Sequence, residues 1–143
     1  MTKETITALL TRQTDNIAGL VELLRKETEA IASRDSGRIQ LAANEKLDQI
    51  LKVQATDKEL ATVPGFRELL SDPDIAEKVG AIQSAMAQCK VLNEENGKAL
   101  QRAQLSMHKL RNLFQQAMKD HEMTYTNEGV ASGRKTLGTN IKA

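Results

Sequence analysis

Apolar residues recur at three- and four-residue steps through the first sixty residues of the chain. Residues 3–33 contain no proline and a single glycine, and residues 36–61 repeat the same spacing, so two amphipathic helices are predicted. Their apolar stripes are Ile6, Leu9, Leu10, Ile17, Leu20, Leu24 and Ile31, then Ile39, Ala43, Leu47, Ile50 and Leu51. A polar break separates them, in which Asp35 or Ser36 can cap the second helix. A helical hairpin is therefore expected.

A third helix is predicted over residues 73–122. Pro64 and Gly65 end the second helix, and a short helical turn is expected over 64–71. Asp72 before Pro73 is a typical helix start. The heptad positions that follow are Ile75, Val79, Ile82, Met86, Cys89, Asn93, Asn96, Leu100, Ala103, Met107, Leu110, Phe114, Ala117 and His121. Steps of four and three indicate left-handed supercoiling.

Unequal helix length is the main expectation from this pattern. At about 1.5 Å per residue, the third helix would reach roughly 75 Å, against roughly 46 Å and 39 Å for the first two. The fold class predicted is all-α: an elongated antiparallel three-helix bundle with a very long third helix. Unless that helix kinks near Gly97 or pairs with a second chain, its end should project and expose its apolar seam.

The last residues have a different composition. Residues 123–143 contain three of the chain's eight glycines, so a flexible tail is predicted after a bundle domain over 1–122. Val130, Leu137 and Ile141 would share one face if a partner induced a helix there. A frayed terminus is the alternative.

Composition excludes several function classes. The 20 basic and 19 acidic residues are interleaved, and only three residues are aromatic, which argues against nucleic acid as a partner. No apolar run approaches 18 residues and no secretory signal is recognisable, so stable membrane insertion is not expected. The lone cysteine, Cys89, suits a reducing compartment such as the cytoplasm and is expected to be a buried apolar residue.

Catalytic and metal-binding groups are not recognisable. His108 and His121 lie 13 residues apart, without a carboxylate or thiol at metal-ligand spacing. There is no phosphate-binding loop or nucleophile motif. We therefore expect no enzyme activity, no metal and no cofactor.

Four polar residues interrupt the apolar stripes and need partners. Glu27 and Lys46 lie at comparable distances from the Asp35 turn, so an ion pair between the first two helices is predicted, with a solvated face as the alternative. Asn93 and Asn96 form a polar layer in the third helix, where Asn commonly fixes register.

The run Asn93 to Gly97, Leu100 and the element from Thr124 and Tyr125 to Gly129 resemble the FlgN-type flagellar export chaperones. Leu23, Leu24, Glu27, Asp35 and Lys46 agree with that family's loose pattern, over nearly the full chain. The sequence departs from the family's usual Tyr-Gly-x-x-Gly form, because Thr126 follows Tyr125. That departure concerns the detail of the turn.

The resemblance implies a cytoplasmic chaperone that keeps hook–filament junction proteins unassembled and delivers them to the flagellar export gate. In this family the C-terminal part binds the cargo, and in this chain that part corresponds to the late third helix and the tail. The expected anchors are Leu110, Phe114, Met118, Val130, Leu137 and Ile141. Tyr125, with Gly129, resembles the family's export-gate contact. The alternative for Tyr125 is packing against the end of the bundle.

A structural coiled-coil subunit is the competing interpretation. On this reading the third-helix heptad pairs with its own copy, as a homodimer, and the tail is dispensable. Removing residues 126–143 separates the two hypotheses, since a chaperone should then lose cargo and keep its fold.

Overall fold

The computed structural model describes residues 2–103 and 108–126, and these residues are almost entirely helical. The all-α class is confirmed. The helices are α1 (Thr2–Ser33), α2 (Ser36–Thr62), α3 (Phe66–Leu69), α4 (Pro73–Arg102) and α5 (His108–Tyr125). No helix within the described ranges is long and apolar enough to cross a membrane.

Side-chain caps fix the starts of α2 and α4. Asp35 Oδ1 accepts from the amides of Gly37 and Arg38, at 2.9 and 3.2 Å. Asp72 caps α4 in the same way, and Pro73 occupies the first turn. Both helix starts thus lie where the sequence predicts them.

Within the described residues, four long helices pack together, and their direction alternates along the chain. α1 lies against both α2 and α4, and α5 lies against α2 and, with less contact, against α4. Direction follows from close approaches: Arg111 in α5 lies near Gly97 in α4, while Tyr125 at the other end of α5 contacts Phe66, just before α4. α5 therefore runs antiparallel to α4.

The core between the helices is mostly aliphatic, because the heptad positions of α1, α2 and α4 point inward. Its largest fully buried side chains are Phe66, Phe114, Ile6, Leu10, Ile17, Leu20, Leu24, Ile50, Leu60, Ile75, Ile82 and Met86. Leu47 and Leu51, which were expected on the α2 stripe, are not buried, and Leu51 is 52% exposed. Val53 and Leu60 take their place in the core.

The predicted single helix over 73–122 is not found. α4 ends at Arg102, Ala103 is a turn residue, and a separate α5 begins at His108; residues 104–107 lie outside the described residues. α4 has 30 residues and α1 has 32, about 45 and 48 Å, so α4 does not overhang the hairpin. Folding back lets α5 bury apolar side chains that a projecting helix would expose. The helical part also extends to Tyr125, three residues past the predicted end of the bundle.

Candidate functional site

A buried polar layer joins α1, α2 and α4 in the half of the bundle that contains the α1–α2 turn. Lys46 Nζ lies 3.0 Å from Glu27 Oε2 and donates to Glu27 Oε1 and to Asn93 Oδ1, at 3.1 and 2.8 Å. Asn96 Nδ2 donates to Glu27 Oε1 and to the Leu24 carbonyl, both at 3.0 Å. These four side chains, Glu27, Lys46, Asn93 and Asn96, are called the Lys46 layer. The structure thus brings together all four polar residues that the sequence placed on buried stripes.

A second buried polar cluster, the Asp57 layer, consists of Gln13, Asp57 and His121. Gln13 Nε2 donates to Asp57 Oδ1 at 2.6 Å, and His121 Nδ1 lies 3.0 Å from Asp57 Oδ2, where its N–H can donate to the carboxylate. Gln13 also donates to the Val53 carbonyl. Each of α1, α2 and α5 contributes one residue, so this layer fixes α5 onto the hairpin.

Tyr125 closes the same end of the bundle. Its ring meets Phe66 edge-on at 6.1 Å between centroids and lies 4.4 Å from the His121 ring. Burial raises the pKa of the Tyr125 phenol, and the nearby Asp57 carboxylate raises it further. The residue expected to contact the export gate is therefore 4% exposed in this conformation.

The other site residues predicted on α5 and in the tail divide into two groups. Phe114 and Met118 are 1% and 8% exposed and belong to the main core cluster. Gly129, Val130, Leu137 and Ile141 lie outside the described residues, as does the side chain of Leu110. The described cargo anchors therefore face inward, against α2 and α4.

A groove of about 510 Å³ separates the facing sides of α4 and α5. Phe114 and Met118 contribute its apolar lining, and charged residues from both helices surround them, among them Lys90, Glu94, Arg111 and Glu122. Because this groove lies between α4 and α5, α5 packs mainly against α2 and only partly against α4.

The buried His121–Asp57 pair is the one described arrangement that resembles catalytic chemistry. Both side chains are 2% exposed, so the imidazole is closed to a substrate in this conformation. Within residues 2–103 and 108–126 no three His, Cys, Asp or Glu side chains are grouped as metal ligands. In this structure the His121–Asp57 pair holds α5 against α2.

Cys89 lies in the core on α4, and burial raises the pKa of its thiol to about 12, from 9.0. Very little thiolate, the reactive form, is therefore present at neutral pH. We expect native protein at pH 8 to react with Ellman's reagent at least 100-fold more slowly than protein unfolded in urea. A Lys119→Cys variant, whose new thiol is exposed on α5, should add one rapidly reacting group. Rapid reaction of Cys89 itself would show that the core around α4 opens readily.

Asp57 and Gln13 were not anticipated from the sequence. Both occupy heptad positions of their helices, Gln13 between Leu10 and Ile17, and Asp57 between Val53 and Leu60. Gln13 and Asp57 could have been paired in the same way as Glu27 and Lys46. In both cases two polar residues interrupt the apolar stripes of α1 and α2 at similar distances from the hairpin turn. His121 was placed among the heptad positions of the third helix, but Asp57 was not recognised as its partner on α2.

Comparison with known families identifies the chain. Residues 1–133 match the family model described as FlgN protein. No curated protein and no solved structure matches the chain. The family match covers the whole described bundle and the first part of the tail, well over half of the 143 residues. The chain therefore belongs to the FlgN family, a family of flagellar chaperones.

Proposed function

We propose that this protein is a cytoplasmic export chaperone for the hook–filament junction proteins. Membership of the FlgN family over residues 1–133 carries this proposal. The chaperone holds the apolar terminal helices of its cargo, prevents their premature assembly and delivers them to the flagellar type III export gate. The helical architecture supports the proposal, because amphipathic helices bind partner helices through apolar faces.

The proposed cargo anchors lie in two segments. Leu110, Phe114 and Met118 belong to α5, and the tail supplies Val130, Leu137 and Ile141. Since Phe114 and Met118 are buried, the tail makes first contact and α5 contributes only after it separates from α2 and α4. Tyr125, proposed with Gly129 as the export-gate contact, becomes accessible by the same movement.

A structural coiled-coil subunit is the weaker alternative. Its third-helix heptad would have to pair with a second copy, but the α4 seam from Ile75 to Leu100 is already buried within the chain. None of the described contacts favours this reading over the chaperone.

Removing residues 127–143 tests the proposed function. We expect the shortened protein to keep its helical content and unfolding midpoint, because every described core side chain is retained. We expect it to lose at least 10-fold in affinity for junction proteins. The measurement is co-expression with candidate junction proteins followed by gel filtration and titration calorimetry.

A matched pair of full-length variants controls for tail length. Leu137→Ser with Ile141→Ser removes apolar anchors, whereas Thr136→Ser with Thr139→Ser changes neighbouring polar positions. Only the first pair should weaken the complex. Unchanged co-purification of junction proteins after tail removal would contradict the proposed cargo role of the tail.

A further inference from the structure

α5 is attached to the rest of the bundle differently from the other long helices. The Lys46 layer binds α1, α2 and α4 to one another through buried hydrogen bonds, and α5 supplies none of its four residues. α5 contributes the His121–Asp57 contact and four buried apolar side chains, Phe114, Ala117, Met118 and Tyr125, together with the buried polar side chains Gln116, Asp120 and Thr124. The groove on its α4 side reduces its contact further. α5 can therefore separate while the other three helices keep their polar contacts.

Separation of α5 would uncover a specific surface, the α5 seat, formed by α2 and α4 with Phe66 at one end. The seat fits a helix of about 27 Å, the length of the 18 residues of α5. Asp57 lies buried in the seat, with its Oδ1 holding the hydrogen bond from Gln13, and the α4 side of the seat carries the polar groove residues Lys90, Asn93 and Glu94. Asp57 Oδ2 would lose its bond from His121. A helix that covers this oxygen without supplying a donor would bury it unsatisfied, which is costly, so the seat favours an occupant that supplies a donor there.

We propose that an amphipathic helix of the cargo replaces α5 in this seat, and that Asp57 selects a helix carrying a hydrogen-bond donor where α5 carries His121. The preferred donors are His, Arg, Lys, Gln and Asn. A carboxylate at that position is rejected, because two buried like charges repel one another. This inference rests on the proposed function and adds to it the place and the chemistry of cargo recognition. α5 then blocks the seat in the free chaperone.

The probe for the seat is a synthetic peptide of residues 108–126, which carries the α5 side chains without the covalent link. The receptor is the full-length protein with Phe114→Ala, a change that weakens the protein's own α5 as a competitor. We expect the labelled peptide to bind this variant more tightly than wild type, by fluorescence anisotropy. A His121→Ala peptide should bind about 10-fold more weakly, the effect of one lost hydrogen bond to a charged group. A Gln115→Ala peptide, changed at an exposed position of α5, should bind like the parent.

Hydrogen exchange on the wild-type chain provides a test that needs no destabilised variant. If α5 separates alone, amides of 114–122 should exchange at least 10-fold faster than those beside Glu27 and Lys46. Equal rates would mean that α5 opens only with the whole bundle, which would overturn the proposal. So would equal binding of the parent and His121→Ala peptides.

The outcomes also separate this inference from the proposed function. If junction proteins bind the full-length chain but the 108–126 peptide does not compete with them, the chaperone function stands and the seat proposal fails. If the peptide binds with the expected His121 dependence but no junction protein binds, the seat exists and the proposed cargo is wrong.

Discussion

Replacing Glu27 with leucine should lower the free energy of unfolding by about 3–5 kcal/mol, because it leaves Lys46 buried without its counter-ion. Lys46 would keep only its hydrogen bond to Asn93, and Asn96 would lose one of its two acceptors. Leucine is similar in size to glutamate, so the loss is electrostatic more than steric. Urea unfolding followed by circular dichroism measures the effect.

Two controls make this result specific to the Lys46 layer. Glu29→Leu makes the same exchange at an exposed position of α1 and should change stability by less than about 0.5 kcal/mol. Adding Lys46→Met to Glu27→Leu removes both charges and should recover a large part of the loss. A cost below about 1 kcal/mol for Glu27→Leu alone would show that water reaches the layer.

Replacing Phe66 with alanine should cost about 3–5 kcal/mol, the usual range for truncating a buried aromatic side chain. Phe66 is 1% exposed and belongs to the main core cluster, although it lies in the short connecting helix α3. Its ring supports Tyr125 edge-on, so the loss should also loosen the end of α5. The unfolding midpoint in urea and the exchange rates of α5 amides measure the two effects.

Tyr125→Phe is the informative comparison for this second prediction. It keeps the ring that contacts Phe66 and removes only the hydroxyl, so its stability cost should stay below about 1.5 kcal/mol. If the variant is stable and binds cargo normally but exports it poorly, the hydroxyl acts at the export gate. If export is normal, the role of Tyr125 is packing. A loss of stability as large as that of Phe66→Ala would contradict a role for Tyr125 that depends mainly on its ring.

The hairpin could be predicted because its signals are local or nearly so. Asp35 and Asp72 cap helices a few residues away, and apolar periodicity defines α1 and α2 without reference to the rest of the fold. Glu27 and Lys46 could be paired because the hairpin turn fixes which residues of α1 and α2 lie opposite one another. The Glu27–Lys46 pair could therefore be predicted from the position of the α1–α2 turn alone.

The break between α4 and α5 could not be predicted in the same way. No glycine or proline occurs between Gly97 and Gly129, so local propensity favours an uninterrupted helix. The heptad also continues through Phe114 and Ala117, because an antiparallel helix pair and one long supercoiled helix use the same spacing. What decides between them is the apolar area that α5 buries against α2, which is a long-range property. Because the break was not predicted, the burial of Phe114 and Met118 against the other helices was not predicted either.

The two polar layers have a consequence for the alignment of α1 with α2. A heptad spacing alone permits the two helices to slide by seven residues, since each apolar side chain would then meet another apolar one. Such a slip would place Glu27 opposite Ile39 or Val53 instead of Lys46, and Gln13 opposite Ile50 or Pro64 instead of Asp57. A charge would then be buried without a partner in either direction. The layers therefore reinforce the alignment that the short hairpin turn sets, and this alignment places Asp57 beneath α5.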